Sequence, residues 1–308
     1  MTEVEKLYKE AWIPETFWNE ETICGYTVSE DMKKVWAIEM DLYKEFEKVC
    51  VRNDLIYFTD GGTTLGAVRH GGFIPWDDDF DVCMPRTSYE KLKMLSDEFK
   101  YPYFLQNVYT DPEFGYSFMR LRNSNTTVVV EPFNYCKFNH GIYIDIFPLD
   151  KILIDDYLKR RSKIYNLILK ASTYMRRDFP NKSIKDITRM NLYYDESDTP
   201  TDLFEKIEKL AMQYENKQTE YVSLLVSTQY EPDRKIWPKS IFDSYIEKQF
   251  ESIKVRVPIG YDEQLKIYFG DYMDYPPLEK RGTWHNIEYY PDVPYKKFYR
   301  EKYNIIYD

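Results

Sequence analysis

The chain has 308 residues, 43% of them hydrophobic and 31% charged, which is typical of a soluble globular protein rather than a disordered one. Its formal net charge of −10 and pI near 5.1 disfavour nucleic acid as the main partner and broad electrostatic docking on anionic lipid, since both need an excess of Lys and Arg. The four cysteines lack metal-ligand spacing, so we expect reduced thiols in a cytoplasmic protein.

The N-terminal sequence MTEVEKLYKEAW lacks the basic start and the apolar run of a signal peptide. No apolar stretch approaches the roughly 18 residues of a membrane span, so we expect no transmembrane segment and leave peripheral membrane contact open. The 30 tyrosines suit wet pockets and sugar-binding surfaces, with compositional drift as the alternative.

The N-terminal half predicts a β-sheet flanked by helices. Residues 1–26 are aromatic and irregular, and we expect them to pack on the core as an arm. Thr27 and Glu30 have capping-box spacing, which predicts the start of a helix. The apolar residues on one face of that helix are Val35, Trp36, Leu42, Tyr43, Phe46, Val49 and Cys50. The β-rich runs that follow are 54–59, 80–84, 103–106, 116–121, 126–130 and 142–147. After the second run, Thr87 and Glu90 repeat the capping-box spacing and predict another helix.

The second half predicts helices and then an irregular region. Residues 151–230 have a helical pattern, and residues 231–308 carry prolines and aromatics with a short helix near 262–269. The clearest apolar helical face consists of Leu203, Phe204, Ile207, Leu210, Ala211 and Tyr214. The predicted fold class is therefore α+β, a mixed sheet over residues 27–150 flanked by helices, with a helical insertion and an irregular C-terminal region.

A glycine pair follows the first predicted strand and precedes a run compatible with a helix. Gly61 and Gly62 would let backbone amides approach a ligand closely, a helix N-terminus favours anions, and Thr63 adds a hydroxyl donor. The pattern is consistent with a phosphate cradle, although a glycine pair between a strand and a helix is more often a simple tight turn. The Lys of a Walker A loop and the third glycine of a dinucleotide fingerprint are missing.

The run Asp77-Asp78-Asp79-Phe80-Asp81 predicts a cation site. Four carboxylates in five positions repel each other unless a cation neutralises them. If Phe80 lies in a strand, Asp79 and Asp81 point to the same face and could share a divalent ion, and Mg²⁺ takes one or two carboxylates plus substrate phosphates. The metal predicted is Mg²⁺, with Mn²⁺ as the alternative.

The same acidic run could instead form a solvated loop or a calcium loop. The flanking Trp76, Phe80 and Val82 disfavour free solvation. A calcium loop would need a glycine where Val82 stands and a terminal Glu where Ser88 stands.

Asp145 is the predicted distant partner of the acidic run. It lies in the apolar β-like run GIYIDIFPLD, where a carboxylate is costly unless it is paired or binds a ligand. It could complete a metal site with Asp79 and Asp81 or act as general base. A salt bridge to a core arginine is the structural alternative.

The string GGTTLGAVRHGGFIPWDDDFDV, at residues 61–82, resembles the LicD family of the nucleotidyltransferase-like superfamily, phosphocholine transferases of bacterial surface glycans. Weaker similar stretches lie at 122–127, 143–150 and 268–285, so the resemblance spans about 30–150 and 255–285. It implies a nucleotidyltransferase-like core and a Mg²⁺-dependent transferase.

The resemblance also implies a set of site residues. Asp79, Asp81 and Asp145 would be catalytic and hold the metal, with Asp77 as a further catalytic acid. The residues expected to bind the donor or its phosphate are Gly61, Gly62, Thr63, Arg69, His70, Arg120, Arg122 and His285. Arg120 and Arg122 could instead pair with the acidic cluster.

This sequence departs from the usual family string in two places. Asp60 stands where a small polar residue is common, and Gly71-Gly72 stands where a Lys-Gly pair is common. The missing lysine removes one phosphate contact and leaves the identity of the cargo open.

The implied reaction moves phosphocholine, or a similar substituted phosphate such as ribitol or glycerol phosphate, from a CDP-linked donor to a hydroxyl of a glycan or lipid-linked glycan, as in lipopolysaccharide or teichoic acid synthesis. Transfer of a nucleoside monophosphate to a small molecule or protein is the alternative within the same chemistry. The alternative from another class of function is a non-catalytic module that binds a nucleotide or a glycan.

Overall fold

The computed structural model of the chain describes residues 1–227, 235–282 and 287–307. The helices of the described residues are α1 (Glu3–Leu7), α2 (Glu30–Arg52), α3 (Gly61–Arg69), α4 (Arg86–Lys93), α5 (Ile154–Met175), α6 (Ile184–Tyr193), α7 (Pro200–Ala211), α8 (Tyr261–Phe269) and α9 (Tyr295–Tyr303). The strands are β1 (Glu21–Ile23), β2 (Tyr26–Val28), β3 (Phe58–Thr59), β4 (Asp81–Pro85), β5 (Tyr103–Gln106), β6 (Met119–Asn123), β7 (Thr127–Val130), β8 (Ile142–Ile152), β9 (Tyr221–Ser223), β10 (Ile236–Pro238), β11 (Tyr245–Phe250), β12 (Ile253–Pro258) and β13 (Ile287–Tyr290). The predicted α+β class is confirmed.

The long strand β8 organises a mixed seven-stranded sheet. Its first five residues pair antiparallel with β6, its middle residues 145–149 pair parallel with β4, and its last three pair antiparallel with β9. Strand β5 extends the sheet beyond β6, β3 beyond β4, and β10 beyond β9. The central position of β8 places the residues of β4 and β6 on either side of it.

The alternation of side chains along β8 separates the core from the site. Ile142, Ile144 and Ile146 are buried and pack in the main core with α2. Tyr143 and Asp145 point to the opposite face, because successive strand residues alternate. One strand therefore anchors the core and presents polar groups to the other side.

Helix α2 supplies the other half of that core. The apolar face predicted for it is buried throughout, and side chains of the N-terminal arm such as Leu7 and Trp18 join the same cluster. The predicted capping box was wrong. Ser29 is the N-cap and accepts from the backbone N–H of Met32 at 3.2 Å, because Thr27 is engaged in the β1–β2 hairpin.

Two other local expectations differ from the structure. Helix α4 begins at Arg86, directly after Pro85, so Thr87 is already helical and does not act as its cap. The C-terminal region is more regular than expected, since β11 and β12 form a hairpin that adds Phe250 and Val255 to the main core. No described helix is both long and apolar enough to cross a bilayer.

Candidate active site

A cavity of about 880 Å³ lies on the face of β8 opposite the main core. The predicted site residues that line it are Gly61, Gly62, Arg69, Asp77, Asp79, Asp81, Arg120 and Asp145. Thr63 and Arg122 are buried beside it and do not line it, and neither does His70. His285 falls outside the described residues. The structure thus gathers most of a site whose members are far apart in the sequence.

Strand register brings Asp81, Asp145 and Arg120 together. Asp81 and Asp145 are partners across the parallel pair of β4 and β8, and Arg120 is the partner of Asp145 across the antiparallel pair of β6 and β8. Directly opposed residues project to the same face of a sheet. Three neighbouring strands therefore place two carboxylates and one guanidinium side by side on the same face of the sheet.

Helix α3 directs its N-terminus at the same cavity. Gly61 adopts a left-handed φ of +48°, which favours glycine, and a Cβ on Gly62 would lie 2.7 Å from Oδ2 of Asp77. The Thr63 hydroxyl accepts from the backbone N–H of Asp81 at 2.8 Å and so ties the helix to β4. Gly61 is favoured by its backbone conformation, a side chain at Gly62 would displace the Asp77 carboxylate, and the N-terminus of the helix favours an anion in the cavity.

The acidic run is an electrostatically crowded segment. Burial raises the pKa of Asp81 well above its usual range, and the charges of Asp79 and Asp145 raise it further. Asp78 does not line the cavity, because its carboxylate and its carbonyl both accept from the Tyr289 hydroxyl, at 3.1 and 3.0 Å. A cation beside Asp79 and Asp81 would relieve this repulsion.

Glu39 on α2 adds an acid that sequence patterns did not reveal. It is 1% exposed, and one of its oxygens has no hydrogen-bond partner among the described residues. Burial raises its pKa well above the usual range, and Asp79 and Asp78 raise it further. Its neighbour Trp36 donates from Nε1 to the carbonyl of Asp77 at 3.2 Å. Helix α2 therefore holds the acidic run from behind.

The metal prediction fits a pair of carboxylates better than a triad. In the described part of the chain, no group of three or more His, Cys, Asp or Glu side chains is arranged to hold a metal ion. Asp79 and Asp81 line one cavity, and Mg²⁺ needs no more than one or two protein carboxylates when substrate phosphates complete its shell. The donor set present thus suits Mg²⁺ bound together with a phosphorylated substrate.

Asp145 is occupied by Arg120. Nε of Arg120 donates to Oδ1 at 2.6 Å and Nη2 to Oδ2 at 3.4 Å, and the two side chains are 7% and 15% exposed. The guanidinium lies over the rings of Tyr143 and Tyr116, with Cζ 3.8 and 4.3 Å from their centroids. Burial lowers the pKa of Arg120, but Asp145 and the two phenols outweigh burial and leave it raised. The alternative foreseen for Asp145, a salt bridge to a core arginine, is present.

Arg122 lies one layer away from the cavity. Its Nε donates to the side chain of Gln106 and its Nη1 to the carbonyl of Gly141, and it is 1% exposed. Burial and the nearby Arg120 lower its pKa to about 10. In this geometry Arg122 supports the strands and has no direct access to a ligand.

Arg69 fastens one wall of the cavity. Its Nη1 donates to the carbonyls of Tyr272 and Asp274, at 2.7 and 3.1 Å, so the end of α3 holds the segment that follows α8. His70 accepts from Nε of Arg69 at 3.0 Å and packs edge-on against Trp76. Burial, followed by the charge of Arg69, lowers the pKa of His70 to about 4, so it is neutral at pH 7.

The glycine at position 71, where the family string has lysine, lies in a backbone conformation that favours glycine. Gly71 has a φ of +68°, and a Cβ on Gly72 would collide with the Glu251 side chain. Glu251, in the turn between β11 and β12, donates its backbone N–H to the carbonyl of Gly71, and its carboxylate accepts from the backbone N–H of Phe73 at 3.2 Å. The hairpin therefore occupies the space beside this loop.

Lys235 is a cation of the site that sequence reasoning missed. It lines the cavity, is 9% exposed, and donates to the Ser227 hydroxyl at 2.9 Å. Its charge lowers the pKa of Asp60, although burial is the larger effect and leaves that pKa raised. A lone lysine in an irregular, proline-rich stretch gave no motif that could have marked it.

Comparisons with known proteins bear on this cavity. A family model described as LicD/FKTN/FKRP, nucleotidyltransferase domain, matches residues 54–202. The chain is 27% identical to the lipopolysaccharide cholinephosphotransferase LicD of Haemophilus influenzae over 258 residues, which cover 82% of this chain and 94% of that protein. It is also 42% identical over 57 residues to an uncharacterized protein of Rickettsia typhi, covering 18% of each chain. A similar match to an uncharacterized protein of Rickettsia prowazekii has 38% identity over 63 residues, 18% of this chain and 24% of that one.

Proposed function

Because the chain belongs to the LicD family, we propose that it is a phosphotransferase that moves phosphocholine from a CDP-linked donor to a hydroxyl of a cell-surface glycan or its precursor. One observation carries the proposal. A single cavity is lined by Asp79 and Asp81, by the N-terminus of α3 and by the Arg120–Asp145 pair. Anion binding and charge neutralisation are the two requirements of phosphoryl transfer, and these groups supply both.

The donor phosphates would lie against the cationic side of the cavity. The first-turn amides of α3 attract an anion, and Arg120 offers a planar guanidinium already oriented by Asp145. Lys235 adds a point charge from another wall. Asp145 thereby acts by holding Arg120 in place.

Asp79 and Asp81 would hold Mg²⁺, with Mn²⁺ as the alternative. A divalent ion there supplies charge neutralisation at a diphosphate and at the departing CMP. Asp77 lines the same cavity beside Gly62 and would accept the proton of the acceptor hydroxyl. Thr63 keeps Asp81 in position through its hydrogen bond to the Asp81 backbone.

The choline group would lie against the wall formed by Trp76, the end of α8 and the segment that follows α8. A quaternary ammonium is recognised by aromatic faces, and Trp76, Tyr268, Tyr272 and Tyr275 all line the cavity. The rings of Tyr116 and Tyr143 are less suitable, because the Arg120 guanidinium lies only 4.3 and 3.8 Å from their centroids. Cations also approach Tyr268, Tyr275 and Trp76, but at a longer distance of 5.1 Å. The cargo would thus point away from Arg120. Trp284, a further candidate for such a cage, lies outside the described residues.

Transfer of a nucleoside monophosphate is the second candidate, because the same cavity could orient a nucleotide for attack at the other phosphorus. Mass spectrometry of the acceptor separates the two reactions. The protein is incubated with Mg²⁺, CDP-choline and a glycan acceptor. A gain of phosphocholine with release of CMP supports the proposal. A gain of CMP with release of phosphocholine overturns it in favour of nucleotidylation.

A screen for thermal stabilisation by CDP-choline, CDP-ribitol, CDP-glycerol, CTP, ATP and UTP would identify the donor class.

A further inference from the structure

The segment that runs from α5 into α6 reverses the charge of the chain. Residues 159–189 carry ten Lys or Arg and two Asp, a net charge of +8 within a chain whose net charge is −10. Such a local excess of basic residues produces a positive potential at this surface, because salt screens the charges of acids that lie more than about 8–10 Å away. Four acids follow α6 at 195, 196, 198 and 202, so the excess over residues 159–202 is +4, still opposite in sign to the charge of the whole chain.

Several of these basic groups face solvent without an acidic partner. Arg160 and Arg161 are buried and serve the fold, and Lys170, Arg176 and Arg177 form ion pairs. The five that form no ion pair with any described residue are Lys159, Lys163, Lys182, Lys185 and Arg189. Three of these, Lys182, Lys185 and Arg189, are on α6 or immediately before it.

Helix α6 combines these charges with exposed aliphatic side chains. Ile184 is 84% exposed, Leu192 69% and Ile187 48%, and no residue of α6 is buried. At 100° per residue these three side chains fall on one side of the helix, with Lys185 and Arg189 at the margin of that side. A solvated helix of a globular protein does not need three large aliphatic groups in water.

The inner side of α6 is fixed to the protein. Asp186 accepts from Nη1 of Arg176 at 3.1 Å and, through Ser183, caps the helix, and Tyr194 packs on Tyr174 of α5. The exposed aliphatic side is therefore held outward.

This surface lies behind the cavity wall. Met175 and Arg176, at the end of α5, contact Gly115 and Phe133. Gly115 precedes Tyr116, which lines the cavity together with Glu131. The end of α5, to which α6 is attached, therefore packs against segments that form one wall of the cavity.

We propose that α6, with the preceding residues 176–183, is a docking element for an anionic membrane surface. Aliphatic side chains that enter the headgroup region, with Lys and Arg at their margin, are the features of helices that lie in the plane of a bilayer interface. A soluble anionic polysaccharide accounts for the basic residues but not for Ile184, Ile187 and Leu192. The inference does not depend on the proposed reaction, because membrane attachment and phosphotransfer are measured separately.

Vesicle co-sedimentation of the full chain tests this docking element. The probes are vesicles of phosphatidylcholine with about one-third phosphatidylglycerol, and vesicles of phosphatidylcholine alone. We expect binding to the anionic vesicles that weakens as salt is raised, and little binding to the neutral ones. Since each basic residue contributes about fivefold, the variant K182E/K185E/R189E should lose on the order of 100-fold in affinity.

Two matched controls keep the test specific. K91E/K239E/K297E makes the same change in net charge on other exposed lysines and should retain most of the binding. I184S/I187S/L192S should lose binding at high salt as well, whereas V51S/I56S/I306S, which alters exposed aliphatic residues elsewhere, should not. The melting temperature of each variant reports its folding.

Three results would overturn the proposal. These are no binding of the wild type to anionic vesicles, an equal loss in the K91E/K239E/K297E control, and binding to a soluble anionic polysaccharide with none to vesicles. Turnover of a soluble acceptor by K182E/K185E/R189E should equal that of the wild type.

Discussion

Asp81 and Asp145 are register partners on neighbouring strands, yet they have opposite surroundings. Asp81 faces Asp79 and the rest of the acidic run, and its pKa is raised by burial and by those charges. Asp145 accepts at Oδ1 from Nε of Arg120 at 2.6 Å, and the Arg120 guanidinium lies over the rings of Tyr143 and Tyr116. The side of the cavity formed by β4 therefore carries excess negative charge, whereas the side formed by β8 and β6 carries an ion pair with no net charge.

This contrast separates the roles that a row of acids can take. A carboxylate already satisfied by an arginine has little to gain from a metal, whereas carboxylates that repel each other gain from any cation that enters. We therefore expect substitutions in the acidic run to affect metal-dependent turnover. Substitutions in the Arg120–Asp145 pair should affect stability and the position of the donor.

The largest expected effect concerns the acidic run. Asp79→Asn and Asp81→Asn should each lower kcat by on the order of 10³-fold, because each removes a charge that would hold the metal at the donor phosphates. Steady-state kinetics with CDP-choline measure this loss, and circular dichroism should show an unchanged fold. Asp274→Asn is the matched control, since Asp274 lines the same cavity on another wall. If Asp274→Asn loses as much as Asp81→Asn, the acidic run has no special role.

The second expected effect concerns the ion pair. Arg120→Ala should lower the free energy of unfolding by about 3 kcal/mol, because it leaves the mostly buried Asp145 without its partner. A double-mutant cycle with Asp145→Ala, followed by urea unfolding, should show strong coupling between the two residues.

The control for that cycle is the pair of Arg52 and Glu98, whose side chains are 66% and 27% exposed. Its coupling should stay below about 1 kcal/mol, as for other exposed pairs. Equal coupling in the two cycles would contradict the view that the Arg120–Asp145 pair is a structural unit.

The smallest expected effect concerns Glu39. Its folded-state pKa is raised, so its contribution to stability is present below its unfolded pKa of about 4.3 and is lost as pH rises through the folded pKa. Glu39→Gln should therefore melt about 2–4 °C higher than the wild type at pH 8 without metal, with a smaller difference near pH 4. Glu45→Gln, on the same helix but beside Lys48 at 2.9 Å, should show no such pH-dependent gain. A difference for Glu39→Gln that does not change with pH would refute an electrostatic origin.

Most residues that the sequence singled out line one cavity, but the pairings among them could not be foreseen. The apolar run around Asp145 predicted a strand, and β8 is there. The pairing of Asp145 with Arg120 depends on the register of β6 against β8, which no local pattern encodes. For the same reason the sequence could not decide between a metal ligand and an ion pair.

Contacts between distant segments were beyond sequence reasoning. Glu39 appears in the sequence as one of several acids on a long helix, and only the fold shows it buried near Asp78 and Asp79. Lys235 stands alone in an irregular stretch. The hairpin of β11 and β12 could have been found, since Ile253, Val255 and Val257 alternate with polar residues, but nearby prolines and aromatics obscured this pattern.

The most direct test of the central contrast is a calorimetric titration of CDP-choline into the protein with and without Mg²⁺. We expect the wild type to bind the donor much more tightly with Mg²⁺. Asp81→Asn should lose that dependence, and Asp145→Asn should keep it while binding the donor more weakly. Undiminished Mg²⁺-dependent binding by Asp81→Asn, or its loss in Asp145→Asn alone, would contradict the assignment of the cation to the acidic run.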